Sequence, residues 1–440
     1  MIKFMLAVLR ISLPFILAAA SAPLWAAPPT VGGCQVLPAN NYWNTPVDTL
    51  PVHASSTAWI ASIGGTSGAS RGLHADWGNK LDDGSPSHIN EIVEYGIPFI
   101  TVANPLPSSS VSFAIADESD PGPYPIPTNA PIEGGAASNG DRHVIAIDTA
   151  NCVLYELYRG FTAVPNGWTA DSGARWPLNS NASRTDGWTS ADASGMAIFP
   201  GLVRWEEVAA GEIAHAIRFT APNIWGSNGG NTHKYIWPAR HWSGNTNNAN
   251  FPPMGARVRL KASFNIATFD TRTQVILRAF KKYGMVLVDG GSSWFFQGMS
   301  SVSWPDIVIS ELNNSSKIRG SDFEVVDTLP LQIDPDSQLS VQPPGAPTGL
   351  NASTVSGRVT LSFTAPANNG GKPILDYTVS CGQVNVTAPA SPVTLTGLTN
   401  GVSVNCGVSA RNVVFSSAPS TTVSVTPRST AIEPVIFLID

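Results

Sequence analysis

The sequence predicts a mainly β protein: a large β-rich body with a few short helices, followed by a smaller C-terminal β domain. Two observations predict this class. Short runs rich in Val, Ile, Tyr and Phe are separated by turn residues, with 39 Gly and 36 Pro among 440 residues. Only 13% of residues are charged, about half the usual share, whereas 43% are hydrophobic and suffice for a core. Both a sandwich and a barrel stay open for the body.

The chain divides into five parts. The N-terminus has Lys3 and Arg10 before the apolar run ISLPFILAAA, with small residues up to Ala27, which is typical of a cleaved export signal. The alternative, a membrane anchor, is disfavoured by Pro14 and by the shortness of the run. We therefore predict a signal peptide (1–27), a β-rich body (28–330), a Pro-rich linker (331–345), a C-terminal domain (346–428) and a tail (429–440).

Charge and motifs exclude several classes of function. The net charge of −6 argues against a nucleic-acid partner. The chain carries no phosphate-binding loop, no dinucleotide fingerprint and no serine nucleophile elbow. No stretch after the signal is long enough to cross a bilayer. We expect a secreted protein, extracellular or periplasmic, and a monomer.

The clearest local element is a β-hairpin within residues 139–158. The runs HVIAID and CVLYELY are strand formers, and Thr149 to Asn151 predict a three-residue turn. In that register Asp148 faces Cys152. One face of the hairpin is then apolar except for His143, and the other face carries polar side chains that include Glu156.

Other elements follow from hydrophobic periodicity and turn residues. We predict helices at 55–64, 204–211 and 271–284, the last closed by Gly284. We predict strands at 95–104, 110–117, 212–220, 232–242, 255–264 and 284–291, and loops at 73–86, 118–135 and 167–195.

From Gly345 onward the chain resembles a fibronectin type III domain. The segments that carry the resemblance are APTGL (346–350), VTLSFTAP (359–366), NNGGKPI (368–374), DYTVSC (376–381) and LTGLTNGVSVNCGVSARN (395–412). Phe363 stands where the family often has Trp, and Val404 stands where its corner Tyr is expected. The resemblance implies a β-sandwich.

The resemblance also implies how the four cysteines pair. In this fold the strands that carry Cys381 and Cys406 are neighbours, so these two can form a disulfide. Cys34 and Cys152 are then left for each other. Two disulfides suit an exported chain.

Five residues are candidates for chemistry. Asp141 and His143 share one side of a strand at the rim of the hairpin, and a carboxylate near an imidazole can orient it. His74 and Asp76 repeat that pairing in a loop flanked by glycines, and Asp289 ends a buried strand before two glycines. Structural roles, such as a rim histidine or a loop-stabilising hydrogen bond, are the alternatives. No cofactor is expected, although a mixed His and Asp set leaves a divalent metal open.

Candidate binding residues lie in the aromatic loops. Arg240, His241 and Trp242 follow one another, and Trp188 lies in the long polar segment. Such side chains can stack on or hydrogen-bond a sugar, with an exposed rim as the alternative. Separately, we expect His215 to be a satisfied core histidine, and Glu206 and Glu207 to be solvated.

Two functions compete. The first is a secreted carbohydrate-active enzyme, a polysaccharide hydrolase or lyase that works by His and carboxylate acid–base chemistry on a polysaccharide or cell-surface glycan. Its support is the acidic, Trp-rich body and the similarity of the C-terminal domain to modules appended to exported bacterial polysaccharide-degrading enzymes. The body also resembles a type of secreted bacterial module without an assigned function.

The second is a non-catalytic glycan-binding or adhesion protein. Convergence of Asp141 and His143 with another carboxylate favours the enzyme, whereas a flat exposed tryptophan platform favours binding.

Overall fold

A computed structural model describes residues 26–64, 71–81, 92–103, 108–163, 167–226, 234–244 and 246–428. The predicted signal peptide up to Trp25 and the predicted tail lie outside these ranges. The described residues form two compact units. The first, which we call the body, ends at Gln342 and includes Gly370–Pro373; the second comprises Pro343–Asn369 and the residues from Ile374 onward.

The body is mainly β within the described ranges. Its strands are β1 (Thr30–Val31), β2 (Cys34–Gln35), β3 (His74–Asp76), β4 (Gly78–Leu81), β5 (Ile92–Tyr95), β6 (Phe99–Val102), β7 (Ser110–Phe113), β8 (Val144–Asp148), β9 (Val153–Tyr158), β10 (Phe161–Ala163), β11 (Gly167–Ala170), β12 (Ser172–Pro177), β13 (Ile217–Ala221), β14 (Arg257–Leu260), β15 (Met285–Gly290), β16 (Phe295–Gln297) and β17 (Phe323–Val326). Its helices are α1 (Ser56–Ile63), α2 (Trp205–Ala210), α3 (Thr271–Lys282) and α4 (Asp306–Leu312).

Two open sheets dominate the body. A mixed six-stranded sheet has the order β17-β14-β15-β13-β16-β3, and a four-stranded sheet has the order β12-β9-β8-β6. Within the described ranges, neither sheet joins its two edge strands into a closed barrel. Smaller sheets are β10-β11-β7, β4-β5 and β1-β2.

The predicted hairpin forms, but its predicted register is wrong by one residue. Asp148 pairs with Val153 rather than with Cys152, and Ile147 pairs with Leu154. The turn is longer because Cys152 adopts a left-handed backbone with φ of 51°. The Asp148 carboxylate accepts hydrogen bonds from the backbone N–H groups of Ala150 and Asn151 and so fixes this turn.

The prediction of one polar face on the hairpin is also wrong. Every residue of β8 is buried, because β8 lies between two hydrophobic clusters. Ile145 and Ile147 belong to the main core, whereas Val144 and Ala146 belong to a second cluster with Tyr124 and Ile126 of the Pro-rich segment.

Glu156, predicted to be on the polar face, is completely buried in β9. Its carboxylate accepts hydrogen bonds from the backbone N–H groups of Ile198 and Phe199 at 3.0 and 2.8 Å. It also accepts one from the indole of Trp176. These donors allow a carboxylate to lie in the core.

The predicted helices form close to their predicted bounds. The side chain of Asp270 accepts from the backbone N–H of Arg272 at the start of α3. Gly284 follows α3 with φ of 69°, the left-handed backbone expected after a helix end. Gly211 ends α2 in the same way.

Three predicted segments differ. The loop predicted at 167–195 contains strands β11 and β12, because β11 gains β10 and β7 as partners and β12 gains β9. The loop predicted at 73–86 contains strands β3 and β4, because β3 gains a distant parallel partner, β16, which periodicity cannot reveal. The strand predicted at 232–242 is wrong: in its described part, 234–242, Tyr235 makes only an isolated bridge to Met254. Pro238 lacks a backbone N–H and interrupts any ladder there.

The C-terminal unit is a two-sheet β-sandwich. Its strands are β18 (Thr348–Val355), β19 (Arg358–Thr364), β20 (Asp376–Cys381), β21 (Val384–Ala388), β22 (Val393–Thr396), β23 (Val404–Arg411) and β24 (Val423–Val425). The sheets have the orders β18-β19-β22 and β21-β20-β23-β24.

Both predicted disulfides are confirmed. Cys381 and Cys406 face each other on β20 and β23. Cys34 is bonded to Cys152, which ties the N-terminal part of the body to the hairpin turn.

The first residues of the predicted linker belong to the body. Gln338 donates its backbone N–H to the carbonyl of Asn181 and accepts from the N–H of Tyr42. The indole of Trp237 donates to the carbonyl of Ser337 at 2.7 Å. Val341 is fully buried. This part of the Pro-rich segment is therefore held in place by hydrogen bonds.

Candidate active site

A row of polar side chains crosses one face of the six-stranded sheet. Thr220 on β13 pairs with Asp289 on β15, and Gln297 on β16 pairs with Asp76 on β3. Because side chains alternate along a strand, Arg218 lies on the same face as Thr220, and the pairing of Phe219 with Phe296 puts Gln297 on that face as well.

The hairpin brings a second set of side chains to this row. Asp141 and His143 precede β8, and Glu133 ends the Pro-rich segment. Together with Asp76 and Asp289 they line a pocket of about 140 Å³. Four of the five sequence-predicted catalytic residues therefore converge. The remaining pocket residues are Ile97, Arg218, Thr220, Gly290, Gly291, Ser292, Phe295 and Gln297.

The histidine at the centre of the pocket is held by a carboxylate. Nδ1 of His143 lies 2.6 Å from Oε2 of Glu133. The backbone reinforces the pair, because Glu133 N–H donates to the carbonyl of His143. Burial opposes protonation of His143, but the Glu133 charge prevails and raises the pKa of His143. Burial likewise disfavours the Glu133 anion, yet His143 holds the pKa of Glu133 below its ordinary value. Both effects favour an imidazolium–carboxylate pair.

Asp289 is a carboxyl group whose pKa lies in the neutral range. Burial and the neighbouring charge of Asp192 raise the pKa of Asp289 to about 7, against the opposing effect of Arg218. A β-bulge between Phe219 and Thr220 lies beside it in the sheet, an irregularity common next to active sites. Burial and the charge of Glu133 also raise the pKa of Asp76. A carboxyl group with a pKa near 7, such as that of Asp289, can donate a proton near neutral pH.

Arg218, the one arginine among the described residues that line the pocket, forms an ion pair with an aspartate. Nη2 of Arg218 donates to Oδ2 of Asp192 at 2.6 Å, and both side chains are buried. Asp192 is itself fixed, since it accepts from the N–H and Oγ of Ser194. Arg218 thus keeps its charge in the core without making the pocket basic.

Three buried polar atoms of pocket residues have no partner among the described residues. They are Nε2 of His143, Nε of Arg218 and Oε1 of Gln297. Each side chain is more than nine-tenths buried. Buried polar atoms are normally satisfied, so such a group of three indicates a site that a ligand or water completes.

Arg142 supports the loop that carries Glu133. Its guanidinium donates to the carbonyl oxygens of Ala136, Ser138 and Gly160 at 2.9, 2.7 and 3.1 Å, and it lies 4.1 Å from the ring of Phe161. Arg142 has a left-handed backbone with φ of 51°. Strain of this kind in a non-glycine residue is often found at functional sites.

The other sequence-predicted residues lie outside the pocket lining. His74 is on the same sheet face and stacks on Phe295 with ring centroids 3.9 Å apart. Arg240 is buried, with Nη2 2.7 Å from Asp336. His241 contacts the carbonyl of Ala193 and stacks on Trp242.

This second group is nevertheless adjacent to the pocket. A Cβ placed on Gly290, a pocket residue, would lie 3.2 Å from Oγ of Ser243, which directly follows Trp242. Trp188 lies with its ring 5.6 Å from the guanidinium of Arg184.

Tryptophans do not form an exposed platform. All twelve tryptophans after the predicted signal lie in described ranges, and each is buried or half-buried. Also, within the described ranges, no group of three or more His, Cys, Asp or Glu side chains is arranged to hold a metal ion. No described helix is long and apolar enough to span a bilayer.

The comparison with protein families covers the C-terminal unit. Residues 345–426 match the model of the fibronectin type III domain. The C-terminal unit is a fibronectin type III domain. No curated protein matches the chain.

Solved structures similar to this chain include several with fibronectin or titin-type domains. A crystal structure of domains from titin is 27% identical over 20% of this chain and 33% of its own, with a TM-score of 0.19. The titin kinase with its flanking domains is 25% identical over 20% and 17%, with a TM-score of 0.18. The FN1–FN3 domains of chicken CNTN1 are 18% identical over 20% and 31%, also at 0.18. The chain thus spans a third or less of these structures.

The fibronectin type III domain tolerates its two departures from the family pattern. Phe363 is buried and its ring lies 4.9 Å from that of Tyr377. Val404 is half-buried and pairs with Val425 at the edge of its sheet. An apolar contact replaces the larger side chain at each position.

Sequence reasoning missed three important residues of the body site: Glu133, Arg218 and Gln297. Arg218 carried a signal, because a charged residue in the apolar strand AHAIRFT needs a buried partner. Glu133 stands ten residues before His143 in a Pro-rich run, and no periodicity connects the two.

Of two other expectations, the one for His215 is confirmed and the one for Glu207 is wrong. His215 is a satisfied core histidine, with Nδ1 2.7 Å from the carbonyl of Ala216 and Nε2 3.1 Å from Glu207. Glu207, expected to be solvated, is instead largely buried between His215 and Arg204. Its charge is stabilised there by Arg204, and Glu206 is the exposed member of the pair.

Proposed function

We propose that this protein is a secreted carbohydrate-active enzyme whose body cleaves glycan by acid–base chemistry. The observation that carries the proposal is the convergence of Asp76, Asp141, His143 and Asp289 in one pocket. Carboxyl groups with separated roles, one donating and one accepting a proton, are what glycoside cleavage needs.

The residues divide into roles by their environments. Asp289, with a pKa of about 7, gives its proton to the glycosidic oxygen as the bond from that oxygen to the anomeric carbon breaks. A water molecule adds to the anomeric carbon, and its proton passes to the carboxylate of Asp76. Asp76 and Asp289 lie on strands three steps apart in the sheet and line the same pocket. His143, charged by its contact with Glu133, donates from Nε2 to the bound sugar.

The non-catalytic alternative has weaker support. A glycan-binding surface of the expected kind would expose flat tryptophan faces, and none of the twelve tryptophans of the body is exposed. The acidic pocket has no role in such a surface.

The proposal is tested by incubating the full chain with a panel of polysaccharides, with and without a chelator, and analysing products by chromatography. We expect new chain ends with at least one glycan, and a loss of at least 100-fold in Asp289→Asn. Asp117→Asn, an exposed carboxylate outside the pocket, is the matched control and should keep full activity. Binding of a glycan without any product, by wild type and both variants alike, would favour the non-catalytic protein.

A further inference from the structure

We infer that the pocket accepts a single uncharged sugar ring and rejects a uronate, so that the reaction is hydrolysis of a neutral glycan rather than elimination. The inference rests on the proposed function and names the substrate of that site. Three independent features of the pocket support it: its charge, its unpartnered polar atoms and its size.

The charge of the pocket is negative once the ion pairs are removed. His143 is paired with Glu133, and Arg218 is paired with Asp192. The carboxyl groups of Asp76, Asp141 and Asp289 remain. Within the described part of the chain, none of the three forms an ion pair with a basic side chain.

A uronate would therefore bring another carboxylate next to Asp76 and Asp141, in a pocket whose two cationic side chains are already paired. Like charges at short range repel, and more strongly where water is scarce. Elimination from a uronate depends on neutralising the substrate carboxylate, because that neutralisation acidifies the neighbouring C–H bond. The pocket offers no free positive side chain for that step, whereas hydrolysis needs only the carboxyl groups that are present.

The unpartnered atoms fit hydroxyl groups. Nε2 of His143 and Nε of Arg218 can donate, and Oε1 of Gln297 can accept. A sugar hydroxyl both donates and accepts, so neighbouring hydroxyls of one ring can satisfy all three atoms. A carboxylate accepts only, so the C6 carboxylate of a uronate could not donate to Oε1 of Gln297, whereas the C6 hydroxyl of a hexose could.

The size of the pocket fits one ring. Its volume of about 140 Å³ is close to that of a cavity of roughly 150 Å³ that holds benzene, a six-membered ring. A hexose has twice as many non-hydrogen atoms as benzene, so a pocket of this size has room for no more than one sugar unit.

The test uses one hexose glycan in two forms. A neutral glycan that the protein cleaves is compared with the same glycan after its C6 hydroxyls have been oxidised to carboxylates, which keeps ring, linkage and anomeric configuration. We expect at least 10-fold slower cleavage of the oxidised glycan at low salt. Asp141→Asn should narrow the difference between the two cleavage rates, because it removes one carboxylate that repels the oxidised glycan. Equal or faster cleavage of the oxidised form, or unsaturated uronate products, would overturn the inference.

Binding keeps the inference testable if no glycan is cleaved, a result that would count against the proposed function. The melting temperature of the full chain is then measured with methyl hexosides and with the corresponding methyl uronides. A rise with a hexoside and none with its uronide supports the neutral-sugar pocket. A rise that is equal or larger with the uronide, or no rise with either sugar, contradicts it.

Discussion

At the scale of single residues, the unusual feature of this protein is the burial of carboxyl groups in a β-sheet core. These carboxyl groups have different neighbours, and the neighbours decide the role of each group. Asp192 forms an ion pair with Arg218 and also accepts a hydrogen bond from the hydroxyl of Ser194. Asp289 has no ion-pair partner in the described chain and titrates near neutrality. Asp192 should therefore control when Asp289 loses its proton.

We predict that Asp192→Asn moves the alkaline limb of the pH–rate profile to lower pH. Asp289 acts as an acid, so activity falls as pH rises through its pKa of about 7. Removing the Asp192 charge takes away one cause of the raised pKa and frees the positive charge of Arg218 to lower it further. The shift should be on the order of one unit. An Asp192→Asn protein with an unmoved limb would show that Asp289 is not the proton donor.

A second residue-scale prediction concerns stability. Burial raises the pKa of Glu156 to about 7, against hydrogen bonds from Phe199, Ile198 and Trp176. Because the folded pKa lies above the unfolded one, its contribution is fully present at low pH and is lost as pH rises through about 7. The loss is on the order of 3 kcal/mol.

Glu156→Gln should remove this pH dependence. Urea unfolding of the body at about pH 5 and pH 8 measures it in both proteins, and the other titrating groups cancel in the comparison. The variant is expected to be less stable than wild type at the lower pH, because the amide N–H₂ meets the indole N–H of Trp176. An unchanged pH slope would mean that Glu156 does not titrate in this range.

At the scale of elements, the site depends on the hairpin and on the loop before it. The disulfide between Cys34 and Cys152 fixes the turn of the hairpin. At the other end, the guanidinium of Arg142 donates hydrogen bonds to three backbone carbonyl oxygens. The Glu133–His143 pair lies between the hairpin and that loop. Arg142 is thus a positioning residue for a pair it does not touch through its own side chain.

We predict that Arg142→Lys lowers kcat by about 10-fold or more while the protein stays folded. Lysine keeps the charge but lacks the planar fork that contacts several carbonyls at once. The loop should then hold Glu133 less firmly, which lowers the pKa of His143. Because His143 acts in its protonated form, the alkaline limb of the pH–rate profile should move to lower pH. Arg159→Lys, a half-exposed arginine on the same hairpin, is the control. Identical pH profiles for wild type and Arg142→Lys would remove the positioning role.

Predictability from sequence also differs between elements. Helix α3 and strand β15 were predictable, because caps, periodicity and apolar runs are local signals. Strand β3 was not, because its three residues become a strand only beside β16, more than two hundred residues later. His143 and Asp289 could be singled out as residues at element ends. Their convergence with Glu133 could not, because it depends on how two sheets pack.

At the scale of the whole molecule, the chain has a catalytic candidate in its body and a fibronectin type III domain at its C-terminus. The predicted domain boundary at residue 330 can be refined by contacts. Residues 331–342 contribute the backbone bonds of Gln338, the contact of Asp336 with Arg240 and the buried Val341. The body should therefore need this segment for its stability.

We predict that a chain truncated after Gln342 is soluble and unfolds cooperatively, whereas one truncated after Asp327 is less stable. The shorter chain loses buried Leu331 and Val341 and leaves Arg240 without Asp336, a combined cost of several kcal/mol. Thermal unfolding of both chains measures the difference. Equal stability would place the boundary of the body before residue 331.

The central claim, that the pocket on the six-stranded sheet is the catalytic centre, is tested most directly at His143. The measurement is turnover per folded molecule for wild type and His143→Gln, with the melting temperature of each. Gln can keep a hydrogen bond to Glu133 but cannot carry a positive charge. His53→Gln, at a histidine that stacks on Trp59 and does not line the pocket, is the control. We predict that His143→Gln loses about 100-fold or more of the turnover and keeps its melting temperature within a few degrees. A His143→Gln protein that is less stable yet fully active per folded molecule would contradict the claim.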